Sequence, residues 1–102
     1  MVREVENNDL SAAKQANVAV LDFNATWCGP CKMLAPVLAE VSEELTEVEF
    51  YGVDVDENRQ LAEDYGIQSV PSLVILKNGK KVNQKVGFAP KEDLIKFVKS
   101  AY

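Results

Sequence analysis

The amino-acid sequence predicts an α/β fold with elements in the order βαβαβαββα, and three observations carry that reading. Val18–Phe23 and Leu73–Leu76 are almost uninterrupted apolar runs, the mark of central strands covered on both faces. Between them, Leu34, Val37, Leu38, Val41 and Leu45 recur at i, i+3, i+4, i+7 and i+11, a helical stripe. Asn78-Gly79 is the strongest short hairpin signal in the chain, so the strand over Leu73–Leu76 should be followed by an antiparallel partner.

Taken in order, Val2–Val5 reads as a weak short strand, and Asn8 or Asp9 is placed to cap a first helix over Leu10–Ala16. Val18–Phe23 follows as a buried strand in which Asp22 is the one polar residue. The long helix, Lys32–Leu45, contains Pro36 in its first turns, where the missing N–H should bend the axis. Val48–Val55 is a third strand, and Asn58–Tyr65 a short helix stopped by Gly66. After Leu73–Leu76 and the hairpin, Val82–Val86 forms an edge that Lys81 and Lys85 protect against pairing with other chains. Pro90 opens the last helix, with Glu92 and Asp93 early and lysines late, matching the helix dipole.

With 102 residues, of which 47% are hydrophobic and 26% charged, the chain is expected to form one globular domain over 1–102. A net charge of −5 argues against nucleic acid as a partner. No apolar run approaches a membrane span, so no membrane partner is expected. The segment Met1–Glu6 has no apolar core of the kind a signal peptide needs, which makes the cytoplasm the expected compartment.

The chain's two cysteines stand two residues apart in Trp27-Cys28-Gly29-Pro30-Cys31, at the handover from the Val18–Phe23 strand to the long helix. Gly29 gives the loop backbone freedom and Pro30 fixes φ. Cys28 falls at or just before a helix N-terminus, where unpaired N–H groups and the dipole favour a thiolate. Two other readings compete with redox chemistry. Zinc takes four ligands, and this chain offers two cysteines and no histidine. A structural disulfide would close a very small loop and would not survive cytosolic reductants. Redox chemistry is the expected role.

Asp22 lies in the apolar run that ends at the cysteine turn, so it is expected to be a buried acid. Burial raises a carboxyl pKa, as proton exchange near neutral pH requires. In a chain without histidine, Asp22 is the candidate to exchange a proton with Cys31. A lone Trp is ordinarily core, but the position of Trp27 directly before the nucleophile points to screening the site and touching substrate. Asp54, Asp56 and Asn58 imitate the start of a calcium loop, yet Arg59 stands where the turn glycine belongs and Tyr65 where the closing glutamate belongs. Asn24-Ala25-Thr26 fits a glycosylation acceptor that a cytosolic chain would not have modified.

Trp27-Cys28-Gly29-Pro30-Cys31-Lys32 closely resembles the active-site motif of the thioredoxin family. Val20–Phe23, Val53–Asp56, Tyr65-Gly66-Ile67, Val70-Pro71, Lys77-Asn78-Gly79 and Val86-Gly87 extend the resemblance over nearly the whole chain. It implies the thioredoxin fold, a central five-stranded mixed sheet flanked by four helices. It also implies a general protein-disulfide reductase, an oxidoreductase and electron carrier that is recycled by thioredoxin reductase. No cofactor is then expected beyond the redox-active Cys28–Cys31 disulfide, and the chain is expected to act as a monomer on disulfide-containing substrate proteins. By the same resemblance Cys28 is the exposed nucleophile, Cys31 the buried resolving thiol, and Asp22 the proton-transfer group, with Trp27, Gly29 and Pro30 in support. Pro71 should be cis and face the cysteines, and Val70, Pro71, Val86 and Gly87 should form an apolar groove that binds a substrate strand. Many relatives place a lysine near the buried acid on the next strand, where this chain has Gly52. Ser69 and Ser72 stand where relatives often have glycine and threonine. Two rival functions are a disulfide oxidase or isomerase, separated by redox potential, and a binding module that would keep its activity without the cysteines.

Overall fold

The computed structural model describes all 102 residues. In chain order its elements are β1 (Val2–Glu4), α1 (Ser11–Gln15), β2 (Val18–Asn24), α2 (Gly29–Glu44), β3 (Glu49–Asp54), α3 (Arg59–Asp64), β4 (Ser72–Lys77), β5 (Lys80–Val86) and α4 (Lys91–Lys99). The order βαβαβαββα therefore holds. The five strands form one sheet in the order β1-β3-β2-β4-β5. β3 runs parallel to β1 and β2, whereas β4 is antiparallel to β2 and β5. This is the mixed sheet with four helices that the sequence resemblance implies.

Successive residues of a strand face opposite sides of a sheet, and the core divides accordingly. Val18, Val20, Phe50, Leu73 and Ile75 face α2 and α4, meeting Leu34, Leu38, Val41, Leu94 and Val98. Ala19, Leu21, Phe23, Val53, Val74 and Leu76 face the other way, toward Ala13 of α1 and Leu61 of α3. Leu34, Leu38 and Val41 of the predicted stripe have at most 1% of their surface exposed. Each such burial is worth about 1.5–3 kcal/mol relative to an exposed side chain. These contacts lay α2 along β2, so the helix N-terminus returns to the end of the strand it follows. No helix is long and apolar enough to cross a membrane.

The Asn78-Gly79 turn has φ of 51° and 83° at its two central residues, the positive values that a two-residue hairpin demands. Gly66, at φ 62°, terminates α3 as expected. The start of α1 differs from the sequence expectation. Leu10 occupies the N-cap position without a side-chain bond, while Asp9 Oδ1 accepts from Ser11 N at 2.9 Å. Asn8 is drawn elsewhere, because its side-chain oxygen accepts from Leu61 N at 3.1 Å and ties the β1–α1 turn to α3. α2 begins three residues earlier than the periodic stripe shows, since Gly29, Pro30 and Cys31 form its first turn, and it continues across Pro36. Pro90 takes the N-cap position of α4, one residue before the helix it was expected to open. Lys81 lies exposed on the β5 edge strand, and Lys85, four residues further along it, is half-buried.

Candidate active site

β2 delivers the chain to the cysteine turn, and α2 starts there. Cys28 is the N-cap of α2, with extended backbone at φ −96° and ψ 112°, and Pro30 sits in the first turn. An N-cap side chain is placed to satisfy one of the orphan N–H groups of the helix. Here the acceptor is sulfur, since Cys31 N–H points at Cys28 Sγ over 3.2 Å. Cys28 and Cys31 are joined by a disulfide, with their Cα atoms 5.3 Å apart. Ala25, Val55 and Val70 pack around the pair, and Cys28 Sγ lies 3.6 Å from the Val70 carbonyl oxygen.

One expectation for the pair needs correction. Cys28 is not the exposed member of an exposed-and-buried couple, because each cysteine has only 5% of its surface accessible. The two residues pack together against Val70 and Ala25, and their overall exposure does not distinguish them. Position does: Cys28 caps the helix from outside, while Cys31 lies within its first turn and on its buried side.

Trp27 is 70% exposed, which excludes a core role, and its indole N–H donates to Asp56 Oδ2 at 3.0 Å. The Asp56 loop is itself held by Asp54, whose Oδ1 accepts from Asp56 N at 2.8 Å. The ring is thus anchored at its polar end and open to solvent on its apolar body. Beside it, Val55, Ile67, Ser69 and Val70 line a shallow, mostly apolar recess.

The Val70–Pro71 peptide bond is cis, and Pro71 is buried. Val70, the residue before it, packs against the cysteines. On the far side of Pro71, Gly87 N–H donates to its carbonyl at 2.8 Å, and Val86 pairs with Ser72 in the β4–β5 ladder. Val86 is 60% exposed, so it offers apolar surface to a visitor and not to the core. Ser72 is buried and satisfies its hydroxyl on the Ser69 carbonyl at 2.7 Å. Sequence reasoning does not pick out Val55 and Ile67, nor the exposed Met33 and Phe88 beside the site segments. For Met33 a signal exists, because it falls off the apolar stripe of α2 and yet is apolar.

Asp22 has 5% of its surface exposed, and its Oδ1 has no hydrogen-bond partner. It alternates with Leu21 and Phe23, so it shares the sheet face of Val20, the face that α2 covers with Cys31, Leu34 and Leu38. Burial pushes its carboxyl from 3.8 up to about 7, against the pull of the Asn24 side chain and with a further push from Glu4. On β3 its neighbour is Gly52, so no lysine side chain stands beside it there.

The thioredoxin family model matches residues 2–100. A thioredoxin of Bacillus subtilis (strain 168) is 45% identical over 93 residues, covering 90% of this chain and 89% of its own. A thioredoxin of Chlamydia trachomatis serovar D is 40% identical over 98 residues, covering 96% of both chains. Among solved structures, a mutant thioredoxin from Halobacterium salinarum superposes with a TM-score of 0.89 at 36% identity, covering 97% of this chain and 88% of that one. Matched along nearly all its length, with the shared fold and a Cys-Gly-Pro-Cys disulfide at the junction of β2 and α2, the chain belongs to the thioredoxin family of protein-disulfide reductases.

Proposed function

We propose that this chain reduces disulfide-containing proteins with Cys28 as nucleophile, Cys31 as resolving thiol and Asp22 as the proton acceptor of the second step. The observation that carries the assignment is the capping geometry: Cys28 Sγ receives the Cys31 N–H at the positive end of α2. A negative charge on that sulfur is stabilised by the orphan N–H groups and the dipole, which lowers the thiol pKa. In the reduced protein the Cys28 thiolate attacks one sulfur of a substrate disulfide, forming a mixed disulfide and releasing the other as a thiolate. Cys31 then gives its proton to Asp22 and attacks Cys28 Sγ. The Cys28–Cys31 bond forms, the bond to substrate breaks, and two electrons have passed to the substrate. Asp22, buried and held near neutrality, returns its proton to the departing thiolate or to water.

Substrate docks as an extended segment across Trp27, the Val70–Pro71 turn and Val86, with Gly29 and Pro30 shaping the cysteine ring. The Val70 carbonyl, 3.6 Å from Cys28 Sγ, sits where a backbone N–H of substrate can reach it when the attacked sulfur comes into line. Broad, weakly sequence-selective recognition follows from a shallow surface of this kind. Thioredoxin reductase returns the disulfide to the dithiol, and no cofactor beyond the disulfide takes part. The reading is tested by insulin reduction coupled to a thioredoxin reductase. The wild type should turn over, and Cys28→Ser and Cys31→Ser should each abolish turnover. Turnover surviving in either variant would refute the dithiol mechanism.

A further inference from the structure

The structure holds one arrangement around Asp22 that the dithiol mechanism does not use. β1, β3 and β2 lie side by side, with Glu4 opposite Gly52 and Gly52 opposite Asp22. All three positions face α2, since Val2, Phe50 and Val20, two residues before each, pack in the cluster under that helix. Gly52 has no side chain, and the Glu4 carboxylate occupies the space. A Cβ built on Gly52 would stand 2.5 Å from Glu4 Oε2 and 3.1 Å from Oε1. Adjacent strands are about 4.8 Å apart, so the Glu4 carboxylate lies roughly one strand spacing from the Asp22 side chain. None of the chain's ion pairs neutralises it, as these join Met1 to Glu43, Arg3 to Glu49 and Lys91 to Glu44.

We propose that Glu4 is a positioning residue of the redox site, a like charge seated over Gly52 that opposes ionisation of Asp22 and so sets the pH at which Asp22 can accept a proton. Two other charged residues share this face by alternation: Asp54, two residues beyond Gly52 on β3, whose Oδ1 accepts from the Asp56 and Glu57 N–H groups, and Lys85 of β5, which pairs with Leu73 two strands from Asp22. β4 places Leu73 opposite Asp22, and the same sheet face is covered by α2, whose buried residues include Cys31, Leu34 and Leu38, and by Leu94 and Val98 of α4. Lys32 and Glu40 of α2 are exposed to solvent, and Arg3 lies on the opposite sheet face with Tyr51. Asn24 donates its side-chain amide to the Asp22 backbone carbonyl at 2.9 Å and carries no charge. Among these charged groups, Glu4 is the one whose carboxylate lies over the position beside Asp22. A lysine side chain growing from position 52 would bring the opposite sign to the same place.

The inference rests on the proposed role of Asp22, but its test does not. The carboxyl 13C shift of Asp22, assigned by its loss in Asp22→Asn, gives the titration midpoint directly in the oxidised protein. At roughly 5–8 Å and an effective dielectric between about 20 and 80, one unit charge moves a midpoint by about 0.4 to 2.4 units. Glu4→Gln should lower the Asp22 midpoint by about that much, and Glu4→Lys should lower it further. A merely structural role for Glu4 would not order the variants by charge. A midpoint that is unmoved or raised in both variants overturns the proposal, whatever Asp22 does in catalysis. If the midpoint falls while the pH profile of mixed-disulfide resolution stays fixed, the coupling stands and the proton-transfer role of Asp22 fails.

Discussion

Replacing Asp22 by Asn removes an ionisation from the core and leaves the side-chain shape in place. The folded carboxyl has its pKa raised from 3.8 to about 7, with burial the largest cause. The native state therefore holds a proton that the unfolded chain has already released above its own pKa. Wild-type stability falls as pH rises from the unfolded to the folded pKa, then levels off. At 1.36 kcal/mol per unit, the interval up to about 7 corresponds to a penalty of about 4 kcal/mol at pH 9, against about 1.5 kcal/mol at pH 5. Native domains have only about 5–15 kcal/mol of stability in total, so a difference of this size is easily read from urea midpoints. Urea unfolding of oxidised wild type and Asp22→Asn at pH 5 and pH 9 is the assay. The advantage of Asp22→Asn should grow by about 2–3 kcal/mol between the two. The absolute offset is not the test, because a buried amide brings hydrogen-bonding needs of its own. A difference that stays constant from pH 5 to pH 9 would show Asp22 to be solvated or paired, and would remove the physical basis for its proton transfer.

Two further outcomes follow from the geometry. Gly79 combines φ of +83° with a Cβ position 3.0 Å from the Lys14 carbonyl oxygen, so Gly79→Ala should cost about 1–2 kcal/mol in urea unfolding while leaving insulin turnover of the folded protein intact. Val86 is exposed beside the Pro71 turn, so Val86→Glu should change stability by no more than about 0.5 kcal/mol yet raise KM for protein substrates, read by steady-state kinetics.

Much of this arrangement is legible in the sequence, because the signals are local and strong. The apolar runs of β2 and β4, the stripe of α2 and the Asn78-Gly79 turn each specify one element and leave little choice about their order. Asp22 stands out as a carboxylate in an apolar run, and its burial follows from the covering helix. The relative exposure of the two cysteines is not legible, since it depends on Val70 and Ala25 arriving from different parts of the chain. The same holds for Asn8, whose bond to Leu61 spans 53 residues. Gly52 reads as a missing lysine, but nothing in the sequence says that Glu4, on a strand two places from β2 in the sheet, fills the gap. Strand register decides that, and register is a property of the whole sheet rather than of any one segment.

The division of labour between two equally buried cysteines is the central claim, and covalent trapping tests it most directly. Reduced Cys31→Ser and Cys28→Ser proteins, each mixed with a disulfide-containing substrate, are resolved on non-reducing gels and the linked cysteine is mapped by mass spectrometry. The capping geometry predicts that Cys31→Ser accumulates a mixed disulfide through Cys28, whereas Cys28→Ser accumulates none. Equal trapping by both variants, or linkage through Cys31, would contradict it.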